Sequence, residues 1–102
     1  MIVEPKDDVV MERYISEEIH LQCELSRSGG KVQWYKDGQE VETSDNIELI
    51  SEGPYRRLTI FCGSMEDGGE YVCKTDGDSV FFQLIVTGLY LLPVSYIPTR
   101  KV

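Results

Sequence analysis

The sequence predicts an all-β fold, a sandwich or a barrel of short strands, and three observations carry that prediction. Apolar and polar residues alternate with a period of two along most of the chain, as they do where one face of a strand is buried and the other wet. Gly, Asp, Ser and Pro interrupt the alternation at short intervals, which marks turns. No stretch carries the 3.6-residue period of an amphipathic helix. Many short strands separated by turns form a sandwich or a barrel, and in a sandwich two sheets bury their inner faces against each other.

In chain order, Val9-Val10-Met11 supplies an early edge strand, and Pro5 before it suits an edge, where a missing N–H donor does no harm. Ile19-His20-Leu21-Gln22-Cys23-Glu24-Leu25 alternates cleanly, with Ile19, Leu21, Cys23 and Leu25 facing inward and His20 outward. Ser26 to Gly30 turns, Val32-Gln33-Trp34 alternates again, and Lys36-Asp37-Gly38 is a short-hairpin signal. Val41 opens a short strand, Thr43-Ser44-Asp45 is loop, Ile47-Glu48-Leu49 alternates, and Glu52-Gly53-Pro54 turns. Leu58-Thr59-Ile60 follows directly on Arg56 and Arg57. Met65 to Gly69 crosses between sheets, and Glu70 to Lys74 puts Tyr71 and Cys73 on one face. Thr75-Asp76-Gly77-Asp78 is a hairpin turn into the last strand, Val80 to Val86, with Phe82, Leu84 and Val86 inward.

The chain has 102 residues, enough for one core and not for two. Lys and Arg number 10 against 18 Asp and Glu, a formal net charge of -8. A nucleic-acid binder carries a basic stripe. Here acids are spread along the chain, which disfavours phosphate backbones and anionic membranes and favours solubility or a basic partner. The start of the chain turns charged at Glu4 and shows no apolar signal-peptide core, and the apolar C-terminal run is interrupted by Pro93 and Pro98, too short to span a bilayer.

Four residues narrow the architecture. Cys23 and Cys73 lie on different strands, Trp34 follows Cys23 by eleven positions, and Tyr71 stands two before Cys73. This Cys…Trp…Tyr-x-Cys spacing is the mark of the immunoglobulin fold, a two-sheet antiparallel sandwich with Greek-key connections. The cysteines face each other across the sandwich, and Trp34 fills the space beside them. The Tyr71 hydroxyl bonds back to the chain just upstream as a tyrosine corner. Trp34-Tyr35-Lys36-Asp37-Gly38, Leu58-Thr59-Ile60 and Glu66-Asp67-Gly68-Gly69-Glu70-Tyr71-Val72-Cys73 resemble the intermediate (I-set) immunoglobulin domains over roughly residues 3 to 87. Glu4-Pro5-Lys6-Asp7 and Leu21-Gln22-Cys23-Glu24-Leu25-Ser26 resemble the intracellular repeats of giant muscle proteins, the obscurin and obscurin-like group with titin close behind. Gly63 departs from the pattern, because I-set domains carry a larger apolar residue there.

The expected organisation is an I-set domain over 1–87 followed by an apolar linker or tail over 88–102. The tail reads as a linker into a next domain, or as a segment that adds a strand to a sheet edge or mediates self-association. The structural residues are Cys23, Trp34, Leu58, Asp67, Tyr71 and Cys73. The resemblance implies that Asp67 pairs with a cation near the neighbouring strands, Arg56 or Arg57. It also implies that Cys23 and Cys73 remain reduced in a cytosolic compartment, while a Cys23–Cys73 disulfide stays open as the alternative. Cys62, the odd cysteine, reads as a buried or half-buried strand residue. One histidine, no C-x-x-C pair and no calcium loop give no metal site or cofactor. His20 without an orienting acid or a nucleophile elbow gives no catalytic set.

The resemblance thus implies a non-enzymatic structural and interaction module of a cytoplasmic, sarcomeric scaffold protein, docking Ig-type domains of titin or myomesin. The second reading is an extracellular domain of a receptor or adhesion protein. That reading requires an oxidised bridge and usually glycosylation, and the single Asn46 is followed by Ile47-Glu48, which is no acceptor site.

Overall fold

A computed structural model describes residues 1–88. Nine strands build two packed sheets: β1 (Ile2–Glu4), β2 (Val9–Tyr14), β3 (Ile19–Leu25), β4 (Val32–Lys36), β5 (Gln39–Glu40), β6 (Ile47–Glu52), β7 (Tyr55–Ile60), β8 (Gly69–Thr75) and β9 (Asp78–Thr87). One sheet has the order β1-β3-β7-β6, the other β2-β9-β8-β4-β5. A 3₁₀ turn, Met65–Asp67, makes the crossing from β7 to β8.

The early edge strand is two strands. β1 pairs antiparallel with the end of β3, and β2 pairs with β9 in the opposite sheet. Pro5 and the charged Lys6-Asp7-Asp8 fall in the switch between sheets. The β2–β9 pair is parallel, running from Val9↔Phe82 to Tyr14↔Thr87, whereas every other pair is antiparallel. No hairpin joins these two strands, so nothing forces them to oppose.

The inner faces follow the period-two pattern. Ile19, Leu21, Cys23 and Leu25 of β3 are buried, as are Leu58 and Ile60 of β7. Trp34, Tyr71, Cys73, Val80, Phe82, Leu84 and Val86 meet them from the other sheet. The Trp34 and Phe82 rings lie 5.9 Å apart between centroids, tilted by 36°, a favourable aromatic geometry.

Two turns show why the local residues are what they are. β4 and β5 are linked by Asp37 (φ 50) and Gly38 (φ 87), the left-handed pair that a two-residue hairpin requires. Asp37 also ties that hairpin to β8. Its Oδ1 accepts the Glu70 N–H at 3.0 Å, and its own N–H donates to the Glu70 carbonyl at 2.8 Å. Gly63 is buried and bonds by its main chain to the β2–β3 turn, accepting from Ser16 and donating to Glu17. A Cβ there would stand 2.7 Å from Ile19 Cδ1 and 3.4 Å from the Glu17 carbonyl. Ile19 occupies the space that a larger residue at 63 would need, so the departure from the family pattern has a packing reason.

Candidate docking surfaces

Cys23 and Cys73 meet in the core with their sulfurs 3.0 Å apart and are not bridged in this structure. The contact with Cys23 and then burial push the Cys73 thiol well above its ordinary pKa. Leu58 lies in register between Leu21 and Leu49 and is fully buried. The Tyr71 hydroxyl donates to the Asp67 carbonyl at 2.5 Å. Burial, then the Asp67 and Asp37 carboxylates, raise its pKa.

Two expectations need correction. The Asp67 carboxylate pairs with neither arginine; it accepts from the Ser64 N–H at 2.9 Å and the Ser64 hydroxyl at 3.1 Å, closing the 3₁₀ turn. Arg56 points inward at the end of the sandwich, 5% exposed. It donates to four carbonyls: Gly53 and Tyr55 through Nη1, Ser28 and Gly30 through Nη2, at 2.6–2.8 Å. A carboxylate in the crossing loop lies outside that cage. Cys62 is exposed rather than buried. β7 ends at Ile60, and the Asn46 side chain bonds both the N–H and the carbonyl of Cys62 at 3.0 Å. His20 is exposed, with Nδ1 3.0 Å from the Thr59 hydroxyl and Nε2 3.9 Å from Glu18. Among the described residues, no three His, Cys, Asp or Glu side chains gather as a metal ion would need.

The surfaces left for recognition are sheet edges and faces. β1 and β5 are edge strands of three and two residues, too short to template much pairing. β2 and β6 are edges of six residues. In β2 the Ile15 N–H donates to the Thr87 carbonyl. Backbone groups alternate sides along a strand, so those of Met11 and Arg13 also face β9 and those of Val10 and Glu12 face out of the sheet. Part of that edge is capped: Arg13 Nη1 donates to the Glu12 carbonyl at 2.7 Å.

β2 also borders a groove of about 540 Å³ with Val9, Met11 and Phe82 on its wall and Glu4, Glu12 and Arg13 at its rim. Its far side is β3, which β1 covers only at Glu24 and Leu25. Leu25 donates toward β7 and Ser26 toward β1, so the main-chain groups of His20 and Gln22 face the groove. Beside β6 there are two separate gaps, each smaller, of about 310 and 410 Å³. Sequence reasoning placed Val9-Val10-Met11 on an early edge strand, as the structure does, but missed which of its main-chain groups stay open, because that depends on which strands fail to flank them. It also missed the apolar residues on the outer face of β9, Phe81 and Ile85, 38% and 42% exposed. Their signal was present in a last strand that is apolar on both faces.

The fold and its Cys–Trp–Tyr centre define an immunoglobulin-type sandwich. The immunoglobulin I-set domain family matches residues 2–80, and the chain belongs to that family. Titin of Drosophila melanogaster is 37% identical over 70 residues, 68% of this chain and a share of titin that rounds to 0%. Cardiac-type myosin-binding protein C of Rattus norvegicus is 30% identical over 83 residues, 79% of this chain and 6% of that protein. The chain therefore spans a small fraction of the relatives it matches. An Ig-like domain from human Obscurin-like protein 1 superposes with a TM-score of 0.81 at 35% identity, covering 99% of this chain and 88% of that one. A second Ig-like domain of Obscurin-like protein 1 from Homo sapiens gives 0.79 at 41% identity over 83% of this chain and 94% of that one.

Proposed function

We propose that this chain is a non-enzymatic, load-bearing and protein-docking module of a multidomain scaffold in the sarcomeric cytoskeleton. The observation that carries the reading is the double role open to β2. Its inner edge joins the first part of the chain to the last strand in parallel register. Tension drawing the two chain ends apart acts in opposite directions on these neighbours and loads their hydrogen bonds together, in shear. Its outer edge presents the N–H and C=O of Val10 and the N–H of Glu12 beside a groove of mixed apolar and charged lining, the arrangement that accepts an added strand. The similarity to titin, myosin-binding protein C and Obscurin-like protein 1 supports the sarcomeric setting. Ig-type domains of titin or myomesin are the partners proposed, and the acidic charge of -8 disfavours nucleic acid and anionic membrane.

The domain is proposed to end at Thr87, with 88–102 as linker or tail; all of that segment but Gly88 lies outside the described residues. The six structural residues, Cys23, Trp34, Leu58, Asp67, Tyr71 and Cys73, are proposed to hold the scaffold rather than to touch a partner.

The test is a calorimetric titration of the chain with purified Ig-type domains of titin and of myomesin, repeated with Glu12→Pro. Proline on an outward N–H leaves the β9 ladder whole and removes a docking donor. Binding weakened about tenfold or more at unchanged stability is the expected result. Binding to none of these domains, or binding indifferent to Glu12→Pro, would overturn the docking reading.

A further inference from the structure

The outer face of the five-stranded sheet carries an apolar row that the docking edge does not use. Register places Tyr35, Val72 and Phe81 side by side across β4, β8 and β9. All three point away from a core lined by Trp34, Cys73 and Val80 on the row beneath. Two further exposed apolar residues lie off this row: Val10, 71% exposed, stands on β2 beside Gln83, one row over, and Ile85 lies two rows along β9. On β8 and β9 the rows on either side of Tyr35–Val72–Phe81 are polar, Glu70–Gln83 and Lys74–Ser79, and differ in charge. On β8, Glu70 stands two residues before Val72 and Lys74 two residues after it, both exposed.

We propose that this face pairs with the same face of a second copy of the chain, about a two-fold axis running along the Tyr35–Val72–Phe81 row. The charge pattern singles out this occupant. Rotation about that axis lays each apolar residue over its own counterpart and exchanges the rows above and below. Glu70 of one copy then faces Lys74 of the other, and Lys74 faces Glu70, so the surface is complementary to itself as an isologous interface requires. On β9 the same operation sets Gln83 over Ser79, both neutral. The strands of the two copies run antiparallel across the contact, within the range that the twist of packed sheets allows. The net charge of -8 opposes association only weakly, because carboxylates off the contact are screened within about 8 Å at physiological salt. Three strands spaced by about 4.8 Å and three rows of side chains give a contact of a few hundred Å² per copy. That lies below the standard size, so association in the range of about 0.1–1 mM is expected. Tandem or filament-bound chains reach such local concentrations.

Sedimentation equilibrium of the full 102-residue chain, at concentrations bracketing that range and at fixed salt, tests the pairing through charge exchange. Glu70→Lys and Lys74→Glu each put like charges face to face twice, and each is expected to weaken self-association about tenfold or more. The double variant E70K/K74E restores complementarity and recovers the dimer. An equimolar mixture of the two single variants associates with each other and not with themselves. Without any substitution, the concentration-dependent amide shifts fall on Tyr35, Val72 and Phe81. A chain that stays monomeric throughout overturns the proposal. So does association that all the variants share equally, which would move the contact elsewhere, residues 88–102 included.

Discussion

Replacing Arg56 by Met removes a buried cation from a cage of carbonyls and leaves the cage behind. Arg56 sits on the inner side of β7, with its guanidinium bonded to the main chain of the β6–β7 turn at Gly53 and Tyr55 and of the β3–β4 loop at Ser28 and Gly30. Hydrogen bonds to a charged group contribute about 1.5–3 kcal/mol each. Four do not sum, because Gly53, Tyr55 and Ser28 are exposed residues whose carbonyls water can reach after the substitution. Met also refills much of the side-chain volume. The net loss is expected near 2–3 kcal/mol, a fall in Tm of about 10–20 °C for a domain of this size. Arg56→Lys keeps the charge but cannot fork between two loops, and is expected to lose about half as much. The assay is equilibrium unfolding in urea, where the midpoint should shift at constant slope. An Arg56→Met variant within about 0.5 kcal/mol of the parent, the range of ordinary surface changes, would refute the cage as a fastening of these two loops.

Three further outcomes follow from the same geometry. Asp78 is held below the usual carboxylate range by the N–H groups of Ile2 and then Ser79, and Asp37 by the N–H of Glu70 and then Lys36. Their folded pKa values lie below the unfolded value of about 3.9. Their contribution is therefore complete above that pH and declines as pH falls through it toward the folded value. Asn at both positions should flatten the acid limb of a stability–pH curve below about pH 4, and an unchanged limb would count against these contacts. A mild oxidant should bridge Cys23 to Cys73 and leave Cys62 as the one titratable thiol, raising stability by up to about 4 kcal/mol on the chain-entropy account; peptide mapping that finds Cys62 in the bridge would contradict the placement. Gly69→Ala should destabilise the β4–β5 hairpin, since Gly69 has φ 152 and its Cβ would stand 2.7 Å from Asp37 Oδ2; thermal unfolding indistinguishable from the parent would show that the turn yields freely.

Much of this was legible because the physics is local. Alternation from Ile19 to Leu25 settles which face of β3 is buried, and the spacing of Cys23, Trp34, Tyr71 and Cys73 needs only the strand period and the sandwich thickness. What was not legible depends on partners far away in sequence. The same period-two pattern suits either sheet, so nothing in Ile2 to Tyr14 reveals that the chain switches sheets near Pro5. Nor does it show that β2 runs parallel to β9. The resemblance paired Asp67 with Arg56 or Arg57, although Leu58 and Ile60 at i+2 and i+4 place Arg56 on the inner face. Cys62 was read as a continuation of β7, but the strand stops at Ile60 and Gly63 is drawn to the β2–β3 turn. The outer edge of β2 and the outer face of β9 are defined by what does not cover them, and a one-dimensional pattern carries no record of that.

The central claim is that β2 and β9 bear tension as a unit, and single-molecule extension of the chain between flanking reference domains tests it most directly. Arg13→Pro deletes an N–H that faces β9, whereas Glu12→Pro, one residue away, deletes an N–H that faces outward. The account predicts a distinct unfolding peak for the parent, nearly the same force for Glu12→Pro, and a clear drop for Arg13→Pro. Extension at negligible force in the parent, or equal weakening by the two prolines, would contradict it.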